Sequence, residues 1–264
     1  MKTSSSQRPT VLVSGASSGI GAAFATRFAA DGYRVILAAR SVDKMLALAN
    51  DLQVKNAAEV HVLRADLEAA DGAARLHADV KERGWTLDVL VNNAGYGHFG
   101  EFRQSPLDKE LAMMQLNMVS LVALTKLFLP DLLARRGRIL NVASTASFQP
   151  GPYMAVYYAT KAFVLSFTEA IAEELQPHGV MVTALCPGPT ASGFQDKAAM
   201  HASALVKGKN LPTADEVAGI GYRAMLRGRR VVVPGLMNWL MAQSVRYTPR
   251  RVVTAVVKRM SRPV

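Results

Sequence analysis

The sequence predicts an α/β protein with a doubly wound, parallel, seven-stranded sheet. Short runs rich in Val, Ile and Leu alternate with stretches of helical length, and several of these runs are almost continuously apolar, as are strands buried on both faces of a parallel sheet. A glycine-rich turn joins the first run to the first helix. This repeated βαβ order indicates an open sheet with helices on both faces. The predicted strands are Thr10–Ser14, Tyr33–Ala39, Glu59–Arg64, Leu87–Asn92, Gly137–Ala143, Gly179–Cys186 and Arg229–Val233.

Helices are predicted between these strands, and two more after the last one. The predicted helices between the strands include Ala22–Ala30, Val42–Leu52, Pro106–Ala134 and Ala155–Gln176. Beyond the seventh strand, apolar residues recur every three or four positions on either side of Pro249, which predicts two amphipathic helices. We therefore expect a single domain over residues 8–235, followed by a basic amphipathic helical extension over residues 236–264.

Composition and charge narrow the functional classes. The chain has 264 residues, 50% of them hydrophobic and 19% charged, which excludes a disordered protein. Its net charge is +11, and ten of the basic residues follow Glu216, after which no acidic residue occurs. Cations beside an amphipathic helix are typical of contact with an anionic membrane surface. The alternative is that the helices cover the protein's own flank or a partner subunit, and nucleic-acid binding is not expected.

The sequence predicts a cytoplasmic protein. The single cysteine, Cys186, cannot form an intramolecular disulfide, which fits a reducing compartment, and we interpret it as a buried core residue. The N-terminal residues contain no apolar stretch typical of a secretory signal. No run of eighteen uncharged apolar residues predicts a membrane-spanning segment.

A phosphate-binding turn is predicted between the first strand and the first helix. Gly15 permits a tight turn, Gly19 lets the backbone approach a pyrophosphate, and Gly21 lets the helix pack closely on the strand. The free N–H groups at the start of the helix would then bind the phosphates of a dinucleotide. The predicted contacts in this turn are Gly15, Ser17, Ser18, Gly19, Ile20 and Gly21.

The residue after the second strand indicates which nicotinamide dinucleotide binds. An acidic residue there would hydrogen-bond the ribose 2′-hydroxyl of NAD, whereas Arg40 can pair with the 2′-phosphate of NADP(H). NADP(H) is therefore favoured over the alternative of a solvated arginine. After the third strand, Asp66 and Leu67 are predicted to contact the adenine, although Asp66 could equally cap the helix predicted to begin near Ala69.

Polar side chains suited to proton transfer are predicted at one edge of the sheet. Tyr157 and Lys161 are four residues apart in a predicted helix and therefore share one face. Ser144 follows the fifth strand, and Asn92-Asn93-Ala94-Gly95 ends the fourth. Ligands of open α/β sheets bind at this carboxyl edge. Asn117 lies in the middle of the long fourth helix.

These motifs together resemble the short-chain dehydrogenase/reductase family over about residues 8–235. The family usually has threonine where this chain has Ser14, and the other motifs match. The resemblance implies a Rossmann-like fold and a homo-oligomer assembled through the fourth and fifth helices. It also implies a catalytic tetrad of Asn117, Ser144, Tyr157 and Lys161. Further cofactor contacts implied by the resemblance are Asn93, Ala94, Gly95, Tyr157, Lys161, Pro187, Gly188 and Thr190.

The residue types indicate how the tetrad would act. A free tyrosine has a pKa of about 10, and we expect the adjacent Lys161 ammonium to lower the pKa of Tyr157. Tyr157 would then protonate a carbonyl oxygen, and Ser144 would hydrogen-bond the same oxygen. By resemblance, Lys161 also binds the nicotinamide ribose and Asn117 supports a water-mediated proton relay.

The predicted substrate pocket is mainly aromatic and uncharged, which favours a lipophilic ketone or secondary alcohol. Residues 191–210 resemble the family's substrate lid. His98 is interpreted as a lining residue, and the other histidines have no metal-ligand spacing, so no metal is expected. The candidate pocket residues are Tyr96, His98, Phe99, Phe148, Gln149, Tyr153, Phe194 and Met200.

The main hypothesis from the sequence is an NADPH-dependent oxidoreductase that interconverts a ketone and a secondary alcohol. The alternative is a 3-oxoacyl thioester reductase, in which the basic extension attracts an acidic acyl carrier protein. A third hypothesis is a non-catalytic protein that senses NADP(H) or is recruited to a membrane.

Overall fold

A computed structural model of the chain describes residues 8–192 and 210–262. In this part of the chain, seven parallel strands form one sheet in the order β3-β2-β1-β4-β5-β6-β7, which confirms the predicted fold class. The strands are β1 Thr10–Ser14, β2 Arg34–Ala39, β3 Val60–Arg64, β4 Val89–Asn92, β5 Arg138–Val142, β6 Met181–Leu185 and β7 Val231–Val232. The helices are α1 Gly19–Ala30, α2 Val42–Asn56, α3 Gly72–Glu82, α4 Leu107–Met114, α5 Ser120–Arg135, α6 Ala155–Leu175, α7 Ala214–Leu226, α8 Leu236–Ser244 and α9 Arg250–Ser261.

The central strand β1 pairs with β2 on one side and with β4 on the other. Val11, for example, is in register with Val35 of β2 and Val89 of β4. The strand order therefore reverses between β1 and β4, and a crevice forms beyond their carboxyl ends, where open α/β sheets bind ligands.

Helices cover both faces of the sheet because the strand residues are apolar on both sides. Val11 and Val13 pack in the layer that contains α1, α2 and α7, whereas Leu12 packs in the layer that contains α3, α5 and α6. Both layers are fully buried at their centres, for example at Phe28 and Phe128. The core thus lies on either side of the sheet and holds the carboxyl ends of the strands in fixed positions.

Helices α4 and α5 are joined by a π-helical turn at Gln115–Val119 and form one continuous helical segment with it. Within the described residues, this segment, Leu107–Arg135, has the length and apolar composition of a membrane-spanning helix. It nevertheless packs on the sheet and on α3, and Asp131 accepts hydrogen bonds from the Leu87 backbone N–H and the Lys81 ammonium. Its buried apolar residues are thus accounted for by their place in the core, whereas Leu107, Leu111 and Val119 remain exposed.

The C-terminal extension contains the two predicted helices, α8 and α9, which separate at Pro249. Both pack over the carboxyl edge of the sheet. Val253 and Val257 of α9 are buried in a cluster with Met113, Met154 and Tyr157, whereas the basic residues of α9 are exposed. The apolar side of α9 therefore covers the protein's own body.

Candidate active site

The turn between β1 and α1 requires glycine at three positions. Gly15 and Gly19 have φ angles of +67° and +58°, in the left-handed region that side chains with a Cβ disfavour. A Cβ on Gly15 would lie 2.8 Å from the Ala94 Cα, and one on Gly21 would lie 2.5 Å from the Gly15 carbonyl oxygen. Ser18, before the first residue of α1, makes no side-chain cap to the first turn. The N–H groups of that turn are therefore not capped by a serine hydroxyl, which fits a phosphate ligand.

Ser14 and Asn93 join the glycine turn to the end of β4. The Ser14 Oγ accepts hydrogen bonds from the backbone N–H groups of Asn93 at 3.0 Å and Ala94 at 3.1 Å. The Asn93 side-chain amide donates to the carbonyl oxygens of Ser14 at 2.9 Å and Gly15 at 3.2 Å. In the structure the Asn93 side chain thus holds the shape of the glycine turn. Threonine, which the family usually has at this position, carries the same hydroxyl, so Ser14 keeps the group that accepts the hydrogen bonds from Asn93 and Ala94.

Arg40 lies at the end of β2, as predicted, but it has a partner there. Its guanidinium Nη1 lies 3.0 Å from the Glu68 Oε1, and more than half of its side chain is exposed. Asp66 does not cap α3, because that helix begins at Gly72 with Asp71 before it; instead, the Asp66 carboxylate accepts from the Glu68 N–H at 3.1 Å. Sequence reasoning missed Glu68, although it follows the predicted Asp66-Leu67 pair directly.

Ser144, Tyr157 and Lys161 converge beyond the carboxyl end of β5. The Ser144 Oγ accepts a hydrogen bond from the Ala146 N–H at 3.1 Å and hydrogen-bonds the Tyr157 phenol. The Lys161 ammonium donates to the Val142 carbonyl oxygen at 2.8 Å and lies 5.9 Å from the centroid of the Tyr157 ring. One turn of α6 thus presents the phenol and the ammonium together, as their spacing of four residues predicts.

Burial controls the pKa values of both groups. It raises the pKa of the Tyr157 phenol well above its usual value, and the hydrogen bond from Ser144 opposes part of that rise. Burial also lowers the pKa of the Lys161 ammonium to about 8. The expectation that Lys161 lowers the pKa of Tyr157 is therefore wrong for the polypeptide alone, because removal of the phenol from water raises its pKa and is the largest influence on it.

Asn117 lies in the π-helical turn, behind Tyr157 and Lys161. Its side-chain amide donates to the Tyr96 carbonyl oxygen at 2.9 Å and to the Thr160 hydroxyl at 3.0 Å, and its Oδ1 accepts from the Tyr96 N–H at 3.1 Å. A Cβ on Gly95 would lie 2.9 Å from that Oδ1. The side chain of Asn117 therefore positions the segment after β4, a role that its place in a predicted helix did not indicate.

A buried chain of hydrogen bonds supports this edge of the sheet and was missed by sequence reasoning. The Asn92 amide donates to the Thr125 hydroxyl at 3.0 Å and to the Asn141 Oδ1 at 2.9 Å. Asn141 in turn donates to the Thr168 hydroxyl at 2.9 Å. This series of hydrogen bonds links β4 and β5 to α5 and α6, and its signal in the sequence is an asparagine at or near the carboxyl end of each of two mainly apolar strands.

One large cavity of about 820 Å³ runs along this carboxyl edge. Its volume lies in the range of small-molecule and cofactor sites. Ser144, Tyr157 and Lys161 line it, whereas Asn117 is buried behind it. Every predicted cofactor residue except Gly21 lines it, namely Gly15, Ser17, Ser18, Gly19, Ile20, Arg40, Asp66, Leu67, Asn93, Ala94, Gly95, Tyr157, Lys161, Pro187, Gly188 and Thr190.

The substrate end of the cavity differs from the prediction. Tyr96 and Gln149 line it, but His98, Phe99, Phe148 and Tyr153 do not. Phe99 and Tyr153 pack against each other with ring centroids 6.0 Å apart, and Phe148 is partly buried against the cluster that contains Leu121 and Val164. Phe194 and Met200 lie outside the described residues, with the rest of the predicted lid from 193 to 209.

The C-terminal helices supply much of the cavity wall, which sequence reasoning did not assign to the site. The apolar periodicity of this segment indicated that one side is covered but not what it covers. The lining residues from the segment are Asn238, Met241, Ala242, Ser244, Val245, Thr248, Val253, Val256, Val257 and Met260. Among residues 8–192 and 210–262, no group of three His, Cys, Asp or Glu side chains is arranged to hold a metal ion.

Comparison with known proteins agrees with this geometry. A very-long-chain 3-oxoacyl-CoA reductase from Phaeosphaeria nodorum is 33% identical over 176 residues, which cover 65% of this chain and 52% of the relative, so the chain spans about half the relative's length. The structure is similar to that of a short-chain dehydrogenase from Sphingobium yanoikuyae in complex with NADPH, with 31% identity, a TM-score of 0.81, and coverage of 90% of this chain and 94% of that one. It is also similar to a bulky-bulky ketone specific alcohol dehydrogenase from Comamonas testosteroni, with 28% identity, a TM-score of 0.77, and coverage of 90% and 92%. The model of the short chain dehydrogenase family matches residues 9–202, and the chain belongs to that family.

Proposed function

We propose that the protein is an NADP(H)-dependent oxidoreductase that interconverts a lipophilic ketone and its secondary alcohol. The observation that carries the proposal is the convergence of Ser144, Tyr157 and Lys161 in a cavity that continues to the glycine turn. Two similarities support the same function: the Sphingobium dehydrogenase is in complex with NADPH, and the Comamonas alcohol dehydrogenase is specific for bulky-bulky ketones.

Four residues of the site have separate roles in the proposed reaction. Hydride transfer at the carbonyl carbon is the chemistry that a bound nicotinamide supplies. Tyr157, held protonated by burial, donates its proton to the carbonyl oxygen in the reductive direction. The Ser144 hydroxyl hydrogen-bonds the same oxygen and stabilises its developing charge. Lys161 binds the nicotinamide ribose beside the phenol, and Asn117, as a positioning residue, holds the Tyr96 segment and supports the proton relay.

Arg40 is proposed to select NADP(H) over NAD(H). Its guanidinium lies at the edge of the cavity, where it can pair with a 2′-phosphate in place of Glu68. The Arg40→Ala variant should bind NADPH at least tenfold more weakly and bind NADH unchanged. Arg103→Ala is the control, because Arg103 pairs with Glu101 and does not line the cavity. A preference for NADH in the unaltered protein would contradict the assignment.

The test of the main proposal is cofactor oxidation over a panel of ketones and 3-oxoacyl thioesters. Turnover with NADPH that is lost in Tyr157→Phe, with cofactor binding retained, is the expected result. Tight NADPH binding without turnover on any member would instead favour a protein that only senses the cofactor.

A 3-oxoacyl thioester reductase is the second candidate function. The relative named as a very-long-chain 3-oxoacyl-CoA reductase favours it, as do the exposed cations of the C-terminal helices, which suit an anionic carrier. This candidate requires kcat/KM for the thioester to be much higher than for a simple ketone of the same chain length. Equal values would exclude it.

We propose further that the protein acts in the cytoplasm as a homo-oligomer. The outer sides of α4, of the π-helical turn and of α6 expose large apolar residues, among them Leu111, Val119 and Phe163. Light scattering should give the mass of a multimer, and Phe163→Glu should shift that mass towards the monomer. A monomer at micromolar concentration in the unaltered protein would contradict the proposal.

The outer surface of α8 and α9 is proposed to contact an anionic membrane. Leu236, Met237 and Trp239 are exposed on α8, and α9 carries exposed arginine and lysine side chains. This pairing of apolar and basic side chains is typical of helices that lie on a lipid surface. Vesicles containing phosphatidylserine should sediment the protein, and Leu236→Ser with Met237→Ser should reduce the bound fraction severalfold. Equal binding to neutral and anionic vesicles would contradict the proposal.

A further inference from the structure

The C-terminal helices lie directly against the proposed proton donor. Val253 and Val257 of α9 are buried in the same cluster as Tyr157 and Tyr158. The far end of α9 also packs against the protein's body, because Ser261 is fully buried. Helix α9 therefore forms a wall of the reaction chamber.

The apolar wall continues outward from that buried contact. Val256 and Met260 of α9, and Met241 of α8, line the same cavity but are 40 to 50% exposed, which places them at its rim. Val245, between the two helices, lines it as well. The described lining of this stretch carries no charged side chain, although the helices that supply it are basic on their outer surface.

We infer that α8 and α9 bind the aliphatic chain of the substrate and set its chain-length preference. The inference rests on the proposed function and deepens it: the substrate is a ketone or alcohol with an extended alkyl chain. That chain runs from the carbonyl beside Tyr157, past Val253 and Val257, to the rim at Val256 and Met260. The channel is uncharged and mainly apolar, and the hydroxyls of Ser244 and Thr248 in its lining already donate to the carbonyl oxygens of Met241 and Ser244. It therefore disfavours sugars and short polar ketones, because it leaves most of their polar groups without hydrogen-bond partners.

Helix α9 provides a closely matched pair of residues for the test. Val256 and Val252 are the same residue type one turn apart, and both are 50% exposed, but only Val256 lines the cavity. An aspartate at either position adds the same charge to the same helix at the same exposure. Val252 lies in the first turn of α9, where the helix dipole favours an aspartate, so urea unfolding of both variants is measured as the control for stability. With both variants folded under the assay conditions, a difference between Val256→Asp and Val252→Asp reports on the channel.

The experiment measures kcat/KM with NADPH for 2-alkanones from 2-butanone to 2-dodecanone. Burial of a methylene contributes about a fourfold gain, so kcat/KM should rise by about that factor per carbon until the chain reaches the rim. Val256→Asp should lower the value for 2-dodecanone at least tenfold and leave that for 2-butanone within twofold. Val252→Asp should match the unaltered protein throughout.

A binding measurement separates failure of this inference from failure of the proposed function. Calorimetric titration of 2-dodecanone into the full-length protein with NADP⁺ needs no turnover. Weaker binding in Val256→Asp but not in Val252→Asp supports the inference even if no ketone is reduced. Equal binding in all three proteins, or the same loss in both variants, overturns it. Turnover that is independent of chain length overturns it as well, while leaving the proposed function intact.

Discussion

Lys161 shows how the fold changes the chemistry of one side chain. Its ammonium is buried beside the Val142 carbonyl oxygen, and burial lowers its pKa to about 8 from an ordinary value of about 10.5. Its position relative to Tyr157 follows from helical spacing and was predicted. The direction of the change in the Tyr157 pKa was not predicted, because it depends on how deeply the phenol is buried. That depth depends on the packing of α9 and other distant elements over the phenol.

A pH-dependent difference in stability should follow from the lowered pKa of Lys161. Between pH 8 and 10.5 the unfolded chain holds a proton on Lys161 that the folded protein has lost, so rising pH favours the folded state. The free energy of unfolding, measured in urea, should therefore rise by about 3 kcal/mol over this range relative to Lys161→Met. Below pH 8 the difference should be constant. A difference that does not change between pH 8 and 10.5 would show that Lys161 titrates normally.

At the level of elements, sequence patterns predicted the positions of the helices and strands better than the contacts between them. Six of the strands lie within or close to the predicted ranges because their apolar runs are buried on both faces, while β7 shrinks to Val231–Val232. The π-helical turn at Gln115–Val119 was not predicted, because one extra residue leaves the apolar periodicity almost unchanged. The role of α9 was missed because its apolar residues predict a covered side without identifying the covering element.

Helix α9 begins with charges that oppose its dipole. Arg250 and Arg251 lie in the first turn, where the helix end is partially positive, and Lys258 and Arg259 lie in the last, where cations are favourable. Arg251→Glu should therefore stabilise the protein by about 0.5 to 1 kcal/mol at low salt, as measured by urea unfolding. The matched variant Arg259→Glu should destabilise it. The proposed contact with an anionic membrane would neutralise Arg250 and Arg251. The difference in stability between the unaltered protein and Arg251→Glu should therefore vanish when the protein is bound to anionic vesicles.

Across the whole molecule, charge is unevenly distributed. The net charge of +11 is carried almost entirely by residues after Glu216, which form α7, β7 and the helices that wall the cavity. The sheet order and the position of the site at its carboxyl edge were predictable from the βαβ pattern. The placement of this basic segment over the site was not predictable, because the net charge of a segment does not indicate which part of the protein the segment packs against.

Self-repulsion within that segment should make stability depend on salt. Like charges held together in the folded state are farther apart in the unfolded chain, and salt screens them. The melting temperature should therefore rise by a few degrees between 20 and 500 mM sodium chloride. The double variant Arg250→Glu, Arg251→Glu lowers the net charge by four units, so its melting temperature should rise much less with salt. A melting temperature that falls with salt in the unaltered protein would show that its ion pairs outweigh the repulsion.

The single cysteine gives the molecule one more property. Cys186 is buried at the end of β6, and burial raises the pKa of its thiol to about 12, so very little thiolate forms near neutral pH. The protein therefore presents no reactive sulfur to maleimides or iodoacetamides. A Val252→Cys variant would carry one addressable thiol on the outer side of α9, and a fluorophore attached there would test whether α9 changes position when cofactor or substrate binds.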